Sequence, residues 1–251
     1  MKNIVKTIST ISELDIDLFK RLNIGLEIQD FTEPNLKMEE LVKIIDDYRK
    51  VLRKFDGLKS LHGPFLDLKP ASPDLQIREV SYKRYLNTIY SAEQLNIDYI
   101  VFHSQINPSL NEPFIKELNN RQSKEFWEKI LSDTQYKGII LIENIFEESP
   151  EMLKEYIETV NMPNVRINLD IGHAKLGKVD LEYWIRELRD YIEYIHIHSN
   201  NGIYDEHLSP SVEEIEELYF LLDKYDIDPI LSLEYKIQDL EREIERYRVC
   251  I

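Results

Sequence analysis

Cysteine is almost absent from this chain: Cys250, next to the C-terminus, is the single one in 251 residues. That excludes an intrachain disulfide and every zinc site built on cysteine thiolates. Glycine is scarce too, with seven in all, and none forms a G-x-G-x-x-G turn or a P-loop. The backbone phosphate cradles of nucleotide-binding folds are therefore not expected. Positive charge is also short: 31 Lys and Arg stand against 47 Asp and Glu, a formal net charge of −16. Phosphate backbones are gripped by Lys and Arg, so this balance argues against a broad nucleic-acid footprint, without excluding a local positive site made by metal ions. No apolar run approaches the roughly 20 residues of a membrane span. The opening MKNIVKTISTISELDID lacks the continuous apolar core of a signal peptide. A soluble cytoplasmic protein is the expectation, with no stretch rich enough in Pro, Gly and Ser to act as a linker.

What the chain does have is a regular alternation of short β-branched runs and longer amphipathic segments. Strands are expected at 4–8, 24–28, 58–62, 99–103, 138–143, 165–170, 194–198 and 229–234. Helices are expected at 12–22, 38–55, 77–95, 124–131, 149–160, 181–191, 211–225 and 238–247. The 38–55 segment shows why: Leu41, Ile44, Ile45, Tyr48, Leu52 and Phe55 repeat at helical spacing opposite Glu39, Glu40, Asp46 and Asp47. Ser149-Pro150-Glu151 reads as a helix opening, with Ser149 as the cap. The strands are near-continuous apolar runs, as in a parallel sheet buried on both faces. Eight βα units in one chain point to an α/β fold, a (β/α)₈ TIM barrel spanning 1–251 as a single domain.

The polar residues then fall where such barrels do their chemistry, at the C-terminal ends of the strands. The third strand ends in His62, the fourth in His103, the fifth in Glu143 and the sixth in Asp170, with His173 just beyond. The seventh carries His196 and His198, its following loop Asp205 and His207, and the eighth ends in Glu234. All six histidines lie at these ends and none in an expected helix. Mixed carboxylates and imidazoles converging on one axis suit a divalent cation of the Zn or Mn kind. On the seventh strand His196 and His198 share a face; His196, the deeper, is favoured as ligand, and His198 as an outer partner or substrate group. Glu27 can reach the mouth but reads as an ordinary buried pair. Lys69, Lys175 and Lys236 lie near strand ends and read as solvated, and Trp127 and Trp184 as helix–barrel packing.

The segments HGPFLDLKPASP (62–73), VFHS (101–104), LIEN (141–144), NLDIGHAK (168–175), HIHSNNGIYDEHL (196–208) and LSLE (231–234) resemble the xylose isomerase-like TIM-barrel superfamily. That group covers AP endonuclease family 2, sugar isomerases, epimerases and endonuclease IV. The resemblance implies a core metal site on Glu143, Asp170, His196 and Glu234. The endonuclease IV-like set would add a second ion at His62 and His103, and a third at His173, Asp205 and His207, hence one to three ions. There are departures. Only Glu147 or Glu148 can stand for the acid that epimerases place after the fifth strand, and Asn200-Asn201-Gly202 replaces their arginine after the seventh. Ser209-Pro210-Ser211 stands where the nuclease has a Gly-rich turn.

Two enzyme classes follow. In the first, Glu143 and Glu234 act as a proton-transferring pair, with His173 touching substrate, in an isomerase or epimerase of a small sugar or sugar phosphate that proceeds through a metal-stabilised enediolate. In the second, a multi-zinc site of the endonuclease IV kind hydrolyses a phosphate ester. The complete ligand set leans toward hydrolysis, but acidity and short length favour the isomerase or epimerase, which is the expectation, with hydrolysis as the alternative. A barrel that binds ligand without turnover is the third class.

Overall fold

Each apolar run of the sequence becomes a strand, and the strands close on themselves. The computed structural model describes residues 3–33 and 35–249, so Cys250 lies outside them. The strands are β1 (Ile4–Ile8), β2 (Gly25–Ile28), β3 (Lys59–His62), β4 (Tyr99–His103), β5 (Ile139–Glu143), β6 (Val165–Asp170), β7 (Ile192–Ile197) and β8 (Ile230–Leu233). All pair in parallel with their sequence neighbours, and β1 also pairs with β8, giving a closed single-domain (β/α)₈ barrel.

Around it run α1 (Ile16–Leu22), α2 (Met38–Leu52), α3 (Leu75–Leu95), α4 (Pro113–Ser132), α5 (Glu151–Val160), α6 (Ile171–Lys175), α7 (Leu181–Leu188), α8 (Val212–Lys224) and α9 (Leu240–Val249). Among the described residues no helix is long and apolar enough to cross a membrane.

Side chains alternate across a strand, and this sorts the chain into an outer and an inner core. Ile100, Phe102, Ile140, Ile142, Ile195 and Leu231 point outward into the helix–barrel core, where Trp127 and Trp184 are also buried. Their neighbours Val5, Val101, Leu141, Tyr194 and Ile230 form a separate apolar plug inside the barrel. One step above the plug, the inward positions turn polar: Glu27, Ser60, Asn168 and Ser232 are fully buried. One step higher come His62, His103, Glu143, Asp170 and His196. The barrel is thus a stack, with an apolar floor, a hydrogen-bonded middle layer and a mouth lined by imidazoles and carboxylates.

Several elements differ from expectation, each for a local reason. The segment 12–22 splits into a 3₁₀ turn at Ile11–Glu13 and α1, because the Asp15 side chain accepts from Leu18 N and starts the helix afresh. Helix α4 begins at Pro113, well before 124; its first half carries Asn119 and Asn120, poor helix formers. Helix α5 starts one residue late, with Pro150 rather than Ser149 at the cap position and no side-chain cap. Strand β7 ends at Ile197, leaving His198 just beyond it. The short helix α6 went unanticipated, and it contains His173, so one histidine does lie in a helix. Asp170 makes that helix: its carboxylate accepts from His173 N at 2.7 Å as a cap.

Candidate metal centre

The barrel brings all nine sequence-derived ligands to its mouth, together with His198. They fall into three groups, in each of which one ligand atom per residue lies within 4.8 Å of all the others: Glu143, Asp170, His196 and Glu234; His62, His103 and Glu143; and His173, His198, Asp205 and His207. Glu143 belongs to two of them.

Most of the histidines are held by one ring nitrogen while the other faces carboxylates. The Nδ1 of His62 donates to Gly63 O at 2.8 Å, that of His173 to Asn144 O at 2.9 Å and that of His207 to Glu234 O at 2.8 Å. This fixes the tautomer and leaves Nε2 of His62 3.4 Å from Glu143, of His173 3.3 Å from Asp205 and of His207 2.9 Å from Asp205. His196 and His198 are held the other way round, through Nε2, by Glu27 at 3.1 Å and Asp170 at 3.0 Å. Outer partners of this kind are what orient metal-ligating imidazoles. For His103, Phe65 supplies the support, stacked on the ring at 4.5 Å between centroids.

The fit to a cation is sharpest at His196. Its Nδ1 is buried without a hydrogen-bond partner, yet it lies 2.8 Å from Glu234, 3.5 Å from Glu143 and 3.7 Å from Asp170. The 2.8 Å approach to Glu234 is close enough for a hydrogen bond but lacks the alignment for one. A nitrogen and three carboxylates from the ends of four strands therefore face a common point, and their N/O chemistry suits Zn²⁺ or Mn²⁺.

Without metal, protons hold the cluster together. Burial acts to lower His173, but Asp170, Asp205 and Glu143 raise it to about 10. Burial is likewise outweighed at His207, which Asp205 and Glu234 raise to about 9. At His196, Glu234, Glu27 and Glu143 overcome burial and raise the imidazole well above its ordinary value. In return, and against burial, His196 and His103 hold the Glu143 carboxyl well below the carboxylate range. His103, with less carboxylate nearby, is instead pushed down by burial to about 4.

Glu27 is a buried pair, as the sequence suggested, but a consequential one: its Oε2 accepts from Tyr194 Oη (2.8 Å), His196 Nε2 (3.1 Å) and Ser232 Oγ (3.2 Å). Glu147 ties its own loop to the one after β4, accepting from Ser104 Oγ at 2.5 Å and from the backbone N–H groups of Ile145 and Phe146. Lys175 is exposed, as the sequence suggested, and also pairs with Glu214 at 2.7 Å. Lys236 lines a cavity of about 820 Å³ beside His207 and Glu234, and Lys69 a separate one of about 260 Å³ near Ser104. The residue that sequence reasoning underrated is His198; its position on the inward face two residues after His196 was the available signal.

Comparisons with known proteins agree with this architecture. The uncharacterized proteins MJ1614 and MJ1311 of Methanocaldococcus jannaschii are 30% and 28% identical to this chain. The first alignment covers 96% of this chain and 94% of MJ1614. The second covers 70% of this chain and 64% of MJ1311. Among solved structures, a putative xylose isomerase from Rhodospirillum rubrum superposes with a TM-score of 0.77 at 17% identity, covering 100% of this chain and 97% of that one. The TTHB071 protein of Thermus thermophilus, soaked with ZnCl2, gives 0.72 at 22% identity, with 99% and 97% covered. A D-tagatose 3-epimerase-like protein gives 0.71 at 23% identity, with 99% and 95% covered. These likenesses establish a shared fold. The family description "Xylose isomerase-like TIM barrel" matches residues 22–248, and the chain belongs to that family.

Proposed function

We propose that this chain is a divalent-metal-dependent hydrolase of a small phosphate ester, working on neighbouring ion sites that share Glu143. The observation that carries this reading is the double membership of Glu143. Its Oε2 lies 3.4 Å from His62 Nε2 and 3.5 Å from His196 Nδ1, and its Oε1 lies 3.9 Å from His103 Nε2. A carboxylate facing two ligand groups at once is what a pair of adjacent ions needs, and His62 and His103 supply the second set of donors.

Ions bound there would lower the pKa of water and offset charge on a phosphoryl group. The chain's own residues do the rest. Glu143, Asp170, Asp205 and Glu234 supply the carboxylates of the three groups; against three divalent ions they leave a local surplus of roughly two positive charges, which favours an anionic substrate. Glu27 and Asn168 hold His196 and Glu143 in place from below, Asn168 through a 3.2 Å bond to Glu143. The cleft of about 820 Å³ bordered by Gln29, His207 and Glu234 has room for a small molecule. The overall charge of −16 weighs against duplex nucleic acid as the substrate. Zinc is the favoured ion, supported by the imidazole-rich donor set and by the zinc-soaked structural relative.

A second reading is isomerisation or epimerisation of a small sugar at the four-residue group alone. It is favoured by Glu143 and Glu234, which flank His196 Nδ1 at 3.5 and 2.8 Å as a proton-removing and proton-returning pair, with His173 at the substrate's edge. A D-tagatose 3-epimerase-like protein among the structural relatives supports it. Metal analysis with a panel of phosphate esters and ketoses separates the two. Two or more zinc ions per chain with phosphate release supports hydrolysis; one Mn²⁺ per chain with solvent-proton exchange into a ketose overturns it. Glu143→Gln is expected to abolish either activity, and unchanged turnover would remove Glu143 from the site.

A further inference from the structure

The three ligand groups are not alike. The His62–His103–Glu143 group has three protein ligands, the number typical of sites that keep a position open for water or substrate. Two groups have four, the number of a closed structural site. One, Glu143, Asp170, His196 and Glu234, gives up part of Glu143 to its three-residue neighbour. The other, His173, His198, Asp205 and His207, has three imidazoles and a carboxylate shared with no other group. We infer that this outer group is a coordinatively complete metal site that locks the loop after β7, with His198 as its fourth ligand, and that the chemistry is left to the sites sharing Glu143. The inference rests on the preceding reading only in that the chain takes up divalent ions.

The case turns on His198. Its Nε2 is occupied by Asp170 Oδ2 at 3.0 Å. Its Nδ1 is buried, has no hydrogen-bond partner, and stands 3.4 Å from Asp205 Oδ1. The ring cannot turn away. It stacks on His207 with centroids 4.1 Å apart and planes within 9°. On the other side it rests on Gly172, where an added Cβ would lie 2.0 Å from the ring carbon Cε1. An imidazole fixed on both faces, with one nitrogen engaged and the other unpartnered toward a carboxylate and two further imidazoles, has the disposition of a ligand.

The loop it would close is built for anchoring. Ser199 and Leu208 exchange two backbone hydrogen bonds of 2.8 Å, so residues 200–207 form a short excursion pinched at its base. Ile203 and Tyr204 at its tip are exposed, 78% and 59%, so no apolar packing holds it. His207 is left-handed, with φ of 48°. Such a backbone is uncommon for a ring-bearing residue and persists where surrounding contacts over-determine it; here these are Nδ1 on Glu234 O and Nε2 on Asp205. An ion in this group would tie Asp205 and His207 of the loop to His173 of α6 and to His198 at the end of β7.

The test is a zinc-loaded protein dialysed against rising chelator strength, with zinc counted per chain and thermal unfolding followed, and a parallel series loaded with Co²⁺ for its visible spectrum. The comparison variant is His198→Gln, whose amide nitrogen can still reach Asp170 but offers nothing in place of Nδ1. One ion per chain is expected to outlast the others in the wild type, with the strong absorption of tetrahedral Co²⁺ and a higher unfolding midpoint than the metal-free protein. His198→Gln should release that ion at a chelator strength at least ~100-fold lower, beyond the range seen for outer-sphere changes, while its metal-free unfolding matches the wild type. Retention of the ion by His198→Gln would mean that the ring serves only Asp170 and would overturn the inference. If the variant does not fold, the wild-type series decides alone: ions leaving in one step refute a distinct closed site. A resistant ion without phosphate release would sink hydrolysis and leave this inference standing; phosphate release with no resistant ion would do the reverse.

Discussion

Replacing Glu27 by glutamine tests whether the layer beneath the candidate metal centre works through His196. Glu27 is fully buried, and one of its oxygens accepts from Tyr194, His196 and Ser232 at 2.8, 3.1 and 3.2 Å. Glutamine keeps the shape and one acceptor oxygen, so the tautomer of His196, with Nδ1 toward Glu234, Glu143 and Asp170, is retained. What goes is the negative charge behind the imidazole, which makes the ring a better electron donor. Outer partners of this kind are worth about 10–100-fold in metal affinity, or roughly 1.4–2.8 kcal/mol. The metal-free fold should lose about 1–3 kcal/mol, because a charge-assisted bond becomes neutral and the new amide N–H₂ must find an acceptor among hydroxyls that already donate. Zinc competition against a chromophoric chelator reads the first quantity and urea unfolding the second. Wild-type zinc affinity in a folded Glu27→Gln protein would refute the view that His196 is held as a ligand from below.

Further outcomes follow from the same geometry. In the metal-free protein His173 and His207 are raised to about 10 and about 9, so the stability they confer is complete below the unfolded value near 6.5 and is lost as pH rises through 9 to 10; urea midpoints that rose over that range would contradict it. Zinc must displace those protons, so its affinity should strengthen from about pH 6 to 8, and a pH-independent titration would count against ligation by these rings. Gly172→Ala drives a methyl into the trapped His198 ring; a cost of about 1–3 kcal/mol in thermal unfolding is expected, together with loss of the most tightly held ion, and an unaffected protein would show that the ring is free to move. Lys6 is pushed down to about 8 by burial, against the pull of Glu13 and Glu234, and donates to Thr7 and Leu233 oxygens. Lys6→Met should therefore stabilise the fold by about 1–2 kcal/mol at pH 7, with the gain shrinking as pH rises from 8 toward 10.5; a destabilised variant would show that those bonds outweigh the buried charge.

The fold was largely legible because parallel barrel strands are apolar on their outward face whatever they carry within, so runs such as 99–103 and 165–170 mark themselves. That nine candidate residues would meet at the mouth was legible because a His or Glu at the end of such a run, or just after it, has few structural reasons to be there. Less legible was anything that depends on which carboxylate meets which ring. Helix α6 is too short to show periodicity and exists because Asp170, a residue needed at the mouth, also caps it. The first half of α4 was hidden by its polar composition. Glu27 and Ser232 lie on different strands far apart in sequence, and only the closed barrel makes them partners at 3.2 Å. His198 was placed on the right face, yet the unpartnered state of its Nδ1 is a tertiary fact.

The layered interior also explains how so polar a mouth is tolerated. Burying Glu143, Asp170, His196 and Glu234 together is costly, because each charged group gives up its hydration. Without metal that cost is offset by protons shared between carboxylates and imidazoles, an arrangement that works only while the rings remain charged. Apart from the Tyr194 hydroxyl, which donates to Glu27, the plug of Val5, Val101, Leu141, Tyr194 and Ile230 below and the helix–barrel core outside are apolar and take no part in that balance. The mouth can therefore loosen without the barrel opening. Metal uptake should then tighten the mouth selectively, protecting amide protons at 196–207 and 170–175 from exchange by far more than those of β4 or β5 near the plug. Hydrogen exchange with and without zinc distinguishes this from a barrel stabilised as a whole: uniform protection would show that the ligand layer and the floor fold as one unit.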